Sequence, residues 1–306
     1  MNGDHCPSTL SPTESAGLRP AGSLLCADTG LALVRIAGRD ATAFLDAQCT
    51  AAIGEDCEAV TAAALADAKG RVLAVFLALP RGDDEWLLAV TASEEEWLRE
   101  HLARFVFRSR VAIAPATDLR PIGLLGPDAD RALAAAGLPA PAESRLVRAG
   151  PLLVCGIGSG RGLVIGEDMA LADAARALAA RLDTGDLAAW TRARLLTNEV
   201  AIVAATRARF LPQMLGLVER GAVSFRKGCY PGQEIIARTQ HLGRVKRGLA
   251  LFRGEIAPVP GAAQETERGP AEVLDGVALP AGGFLIQAVA PLAGDEDSQP
   301  YNGVRQ

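Results

Sequence analysis

Apolar residues in this chain gather in short runs of strand length, set off by turns rich in Gly, Asp and Pro, with helical stretches between them. Leu31–Ala37 (LALVRIA) reads as a strand, Gly38-Arg39-Asp40 as a turn, and Asp40 as the cap of a helix over Ala41–Cys49. Val60–Ala66 and Arg71–Leu79 flank Lys69-Gly70 as a hairpin, and Glu85–Val90 follows a turn at Arg81–Asp84. Ser93-x-x-Glu96 has the form of a capping box. It opens a helix to about Val106, with Trp97, Leu98, Leu102 and Phe105 as the apolar stripe.

The pattern then begins again. Val111–Ala114 and Pro121–Leu125 are strand-like, Pro127 starts a helix ending at Gly137, and Leu152–Ile157 with Gly162–Ile165 makes a second hairpin. Helices follow at Ala170–Leu182 and Leu187–Leu196, the latter capped by Asp186. Two successive strand–helix–hairpin–helix units predict a duplicated α+β body with antiparallel sheets, in lobes of about 23–117 and 118–247. From residue 248 to 306, short strands at Leu249–Phe252, Ala271–Leu274 and Phe284–Val289 lie among Gly- and Pro-rich loops, the composition of a small β-barrel, curtailed by an acidic tail at Asp295–Asp297. Residues 1–22 read as a flexible tail and lack the basic and apolar regions of a signal peptide.

The longest apolar run, Val72–Pro80, is far below the ~20 residues of a membrane span. The cysteines (Cys6, Cys26, Cys49, Cys57, Cys155, Cys229) contain no C-x-x-C pair and no four-ligand metal spacing, which predicts reduced thiols in the cytoplasm. Gly156-x-Gly158-x-Gly160-x-Gly162 misses the dinucleotide-binding spacing and reads as a hairpin turn. A Cys229–His241 nucleophile pair fails on distance, because twelve helical residues would separate the two by about 18 Å.

Charge singles out one segment. The chain carries a net charge of −5, yet residues 225–247 (FRKGCYPGQEIIARTQHLGRVKR) hold six basic residues against one acid, a local charge of about +5. Within it Cys229 stands between Gly228 and Gly232, and Pro231-Gly232-Gln233-Glu234 can open a helix. A thiol just outside a helix N-terminus and beside Lys227 is placed to act as a thiolate.

The block Lys227–Glu234, KGCYPGQE, resembles the signature of the YgfZ family. Those are folate-binding proteins related to the aminomethyltransferase of the glycine cleavage system and linked to iron–sulfur cluster synthesis and repair. Phe210–Leu217 (FLPQMLGL), Gly221–Phe225, Lys69-Gly70-Arg71 and Phe105–Ser109 extend the resemblance over roughly residues 24–290. It implies a two-lobed body with tetrahydrofolate at its centre and a C-terminal β-barrel. It implies a folate site using Lys227, Tyr230, Gln233, Glu234, Arg238 and Arg194, with Cys229 as the functional thiol and a transient iron–sulfur ligand. It also implies assembly or client proteins as partners, without nucleic acid or membrane. The basic run Arg238–Arg247 would favour polyglutamated folate.

The alternative is a tetrahydrofolate-dependent aminomethyl transferase. That enzyme has an aspartate in the second hairpin strand, where this chain has Val72-Leu73-Ala74, so the acid–base group is missing. A second departure concerns the ligand. Leu196 stands where the family shows a glutamate, and a pterin edge facing it would lose on the order of 1–3 kcal/mol. This predicts weakened or altered folate binding unless Glu199 substitutes through a shifted register.

Overall fold

The computed structural model describes residues 6–292, and the acidic tail at 295–297 lies outside them. Two antiparallel sheets pack face to face, each covered on its outer face by helices. The first has the strand order Thr61–Ala66, Val72–Gly82, Glu85–Thr91, Leu31–Ala37, Ala112–Pro115. The second runs Asp183–Gly185, Leu24–Cys26, Arg120–Leu125, Arg161–Gly166, Leu152–Gly158, Arg145–Ala149, antiparallel except for its first pair.

Period two explains the layering. On one face of the first sheet Val34, Ile36, Trp86 and Leu88 pack with Phe44, Leu45, Leu98 and Leu102 of the helices Ala41–Gln48 and Glu95–Ala103. The residues between them, Leu33, Leu87 and Ala89, turn the other way and meet Leu125, Leu153, Cys155, Leu163 and Ile165 of the second sheet. Beyond that sheet, Val154 and Val164 pack under the helices Ala129–Ala135 and Asp168–Ala179.

A third sheet, five-stranded and antiparallel, closes the molecule with the order Ser8–Thr9, Arg247–Gly254, Phe284–Pro291, Gly269–Ala278, Ala263–Thr266. Residues 6–22, read above as a flexible tail, contribute its edge strand and the helix Pro12–Gly17, whose capping box is formed by Ser11 and Glu14. Leu24–Cys26 likewise joins the second sheet before the chain builds the first.

Two expected caps differ. Asp40 makes no cap bond; its carboxylate accepts from the Arg110 backbone N–H at 2.7 Å, tying the turn to the far end of the lobe. The box at Ser93 does not form either. A 3₁₀ turn, Ala92–Glu94, precedes the helix, and the buried Glu94 carboxylate pairs with Arg207 and accepts from Ala204 N–H at 3.0 Å. The Arg207 guanidinium lies 3.8 Å from the Trp97 ring centroid and needs that counter-charge. Asp186 does cap its helix, accepting from Ala189 N–H at 2.7 Å.

Candidate functional site

The junction of the three sheets encloses a cavity of about 740 Å³. Its walls are mostly apolar: Val75 and Leu77 from the first sheet, Trp190 from the helix Leu187–Leu196, and Leu274 and Val277 from the third sheet. Polar groups converge on part of its lining. Arg161, Arg194, Glu199, Arg220 and Asp275 all line it, three guanidiniums against two carboxylates. An apolar cleft with a few convergent polar groups has the form of a small-molecule site.

Glu199 organises the cluster. Arg161 grips it with both terminal nitrogens, one at 3.0 Å, and Arg220 donates to it at 2.8 Å. Arg220 also donates to Thr197 O at 2.6 Å, while Arg194 pairs with Asp275 and donates to Glu199 O at 3.3 Å. The Gln287 amide, fully buried, donates to the same carbonyl at 3.1 Å. Burial pushes the Glu199 carboxyl up, but the charges of Arg161, Arg220 and Arg194 outweigh it and hold it below the ordinary carboxylate value.

The KGCYPGQE segment builds a second, separate surface. Gly232 takes φ 78°, and a Cβ there would come within 2.3 Å of Asp67 O and 2.7 Å of Gly70 Cα. Only glycine permits this approach, so the hairpin turn of the first sheet seats directly on the start of the helix Gln233–Leu242. The segment's core contact is Tyr230, buried with Val72, Phe210, Leu215 and Ile236. Burial raises its phenol to about 12. Gln213 is buried as well and donates to Ile236 O at 2.9 Å.

Lys227 departs from its expected place beside Cys229. Its side chain is only 3% exposed, and its ammonium donates to the carbonyls of Asp46, Cys49 (3.0 Å) and Ala51 (2.8 Å) and pairs with the Asp46 carboxylate at 2.9 Å. It thereby satisfies the open C-terminal end of the helix Ala41–Gln48. Arg247 is similarly committed, donating to Pro270 O (3.1 Å) and Val289 O (2.8 Å), which removes it from the run expected to meet polyglutamate.

Cys229, Cys57 and Cys6 are exposed, whereas Cys26, Cys49 and Cys155 are buried. Burial raises Cys26 to about 11 and Cys155 to about 12; it also takes Cys49 to about 12 against the nearby Lys227 charge. Limiting alkylation at pH 8 followed by mass spectrometry is therefore expected to label the three exposed thiols and spare the buried three until the protein unfolds. Labelling of Cys155 in the folded protein at a rate matching Cys229 would contradict this placement.

Of the residues expected to hold folate, Arg194 lines the central cavity; Lys227, Tyr230, Gln233, Glu234 and Arg238 do not. Gly232 and the Tyr230 ring are consumed in seating the segment on the hairpin. Leu196 also falls elsewhere, lining a smaller cavity of about 300 Å³ with Arg19, Leu125 and Ser159. Leu196 does not line the central cavity, and Glu199 is the acid of this loop that does. Arg161 stands inside the glycine-rich hairpin and belongs to no motif. A lone charge opening the otherwise apolar strand Arg161–Gly166 is the signal that could have found it. His241 lies in the last turn of the signature helix with its ring 5.8 Å from that of Phe225, a packing contact. Among the described residues no three His, Cys, Asp or Glu side chains gather as a metal-binding group, and no helix is long and apolar enough to cross a membrane.

No family profile matches the sequence. The chain is similar to the tRNA-modifying protein YgfZ of Yersinia pseudotuberculosis serotype O:1b, 30% identical over 273 residues, covering 84% of this chain and 81% of that protein. It is 29% identical over 269 residues to the protein of the same name from Escherichia fergusonii, covering 84% and 82%. In three dimensions it resembles the glycine cleavage system aminomethyltransferase T of Bartonella henselae, with a TM-score of 0.70 at 17% identity over 94% of this chain and 83% of that one. The last likeness establishes the fold.

Proposed function

Because this chain belongs to the YgfZ family, we propose that it is a folate-binding factor supporting iron–sulfur clusters in client enzymes, with tetrahydrofolate in the central cavity and Cys229 as the working thiol. The observation that carries the ligand assignment is the central cavity with Glu199 on its wall. A pterin is flat and presents adjacent N–H donors. The cavity offers apolar walls with the Trp190 indole, and a carboxylate with about four acceptor positions. Arg161 and Arg220 fill three of them, leaving one for the pterin edge.

The transferase alternative is less well supported. Past the hairpin, the strand Val72–Gly82 brings Val75 and Leu77 to the cavity, and both carboxylates that line it, Glu199 and Asp275, are neutralised by arginines. No carboxylate there is placed as a free base. Cys229 offers a soft, exposed sulfur ligand for cluster iron. One thiolate cannot hold a cluster, so the client or a carrier in the cytoplasm completes the coordination. A cluster-dependent RNA-modifying client would connect this reading with the name of the relatives.

Titration calorimetry with tetrahydrofolate is expected to give saturable heat, and its absence at low ionic strength would remove the ligand assignment. In a strain lacking the gene, Cys229→Ser should fail to restore cluster-dependent enzymes while Cys57→Ser restores them. Full rescue by Cys229→Ser, or glycine-cleavage turnover by the wild type, would overturn the reading.

A further inference from the structure

We propose that the outer face of the helix Gln233–Leu242, with the adjoining hairpin turn Asp67–Arg71, is an apolar patch rimmed by basic side chains, and that it docks a client protein whose own apolar patch has an acidic rim. The proposal rests on the reading above, since a client held there would meet Cys229 at the edge of the contact.

The helix buries one residue, Ile236, against the body. Its other side presents Ile235 (36% exposed) and Leu242 (84% exposed), seven residues and two turns apart on one face, with the exposed Arg238 between them. At its first turn, the approach of Gly70 to Gly232 and Ile235 brings in the exposed Lys69. At its last turn, the ring of Phe225 against His241 brings in the exposed Arg226, and Lys246 follows along the chain. Cations therefore surround an apolar centre, with Glu234 the exposed acid of the helix, on a chain whose net charge is −5.

An apolar centre with a polar rim is the anatomy of a protein interface. A single-stranded nucleic acid would need exposed aromatic rings as stacking platforms. The aromatics of this segment, Tyr230 and Phe225, are buried and half-buried instead. The basic rim would steer an acidic partner and set the encounter rate more than the affinity.

Leu242→Asp and Arg226→Glu test the surface in a strain lacking the gene, by the restored activity of a cluster-dependent dehydratase. Each is expected to lower it about fivefold or more, Leu242→Asp by loss of a central contact and Arg226→Glu by reversing a charge that steers the encounter, and the double variant further. The thermal midpoint, tetrahydrofolate affinity and Cys229 alkylation rate should stay at wild-type values. Met169→Asp, at an equally exposed apolar residue on another helix, should keep full activity. Full support from both variants would overturn the docking surface while leaving the proposed function in place. Failure of the wild type to restore the dehydratase would remove the proposed function and this surface with it. Binding of bulk tRNA by the wild type at 150 mM salt (about the physiological level), abolished by Arg226→Glu, would make the face an RNA surface and refute the proposal.

Discussion

Glu199→Ala is expected to lower the unfolding free energy by about 3 kcal/mol and to abolish measurable tetrahydrofolate binding. The stability loss follows from what remains. The Arg161 side chain, 3% exposed, would keep its charge without a counter-ion, and Arg220 would lose its second partner. Breaking a buried pair from one side costs more than the pair contributes, because the abandoned charge stays desolvated. Glu199→Gln keeps the shape and one acceptor, so it should fold better than the alanine variant and still weaken the ligand about tenfold or more by losing a charge-assisted bond. The pH dependence has a definite sign. The folded-state carboxyl is depressed, so its contribution is complete above the ordinary value of about 4.3 and fades as the pH falls through the lower folded value. Denaturant unfolding between pH 7 and pH 3 should show wild type and Glu199→Gln converging at the acid end. Parallel curves would show that Glu199 gains nothing from its arginines.

Lys227→Met is expected to cost about 3 kcal/mol without changing tetrahydrofolate affinity in the protein that remains folded. The ammonium is enclosed by three carbonyls and a carboxylate at the end of the helix Ala41–Gln48, and methionine would take this donor from all four, leaving the Asp46 carboxylate with the Ile53 N–H at 2.9 Å. Lys227→Arg should not rescue, since a planar fork cannot replace a compact point donor in that space. Hydrogen exchange is the discriminating readout. Protection should fall around residues 46–51 and 226–230 together, because one side chain ties the two segments. A loss of ligand affinity at unchanged stability would instead return Lys227 to the folate site.

Much of the fold was legible because hydrophobic pattern and local capping agreed with it. Leu31–Ala37 and Leu187–Leu196 appear with the bounds read from the sequence, and the alternation that marked the strands also sorts them between the two cores. The strands Leu24–Cys26 and Asp183–Gly185 were hidden because each is three residues long and pairs only with segments distant in sequence. The capping box at Ser93 was a correct local pattern overruled by a tertiary demand, the counter-ion for Arg207.

The site was legible as chemistry and illegible as geometry. The signature announced its own importance, yet Lys227, Tyr230 and Gly232 hold the segment in place, and the charges that line the cavity lie outside it. Arg161 and Glu199 lie 38 residues apart in sequence, and no periodicity links them. The packing of the helix Leu187–Leu196, through Trp190, against the second sheet brings them to one wall.

The contact of Gly70 with Gly232 bears on how the molecule is made. The hairpin leaves the ribosome more than a hundred residues ahead of the signature, and it pairs locally within its own sheet. The segment bearing Cys229 thus emerges to find its seat already standing, and acquires its shape by landing there. A chain cut off before residue 227 would retain that seat with no tenant, whereas a fragment beginning after residue 71 would carry the thiol on a loop with nothing to define it.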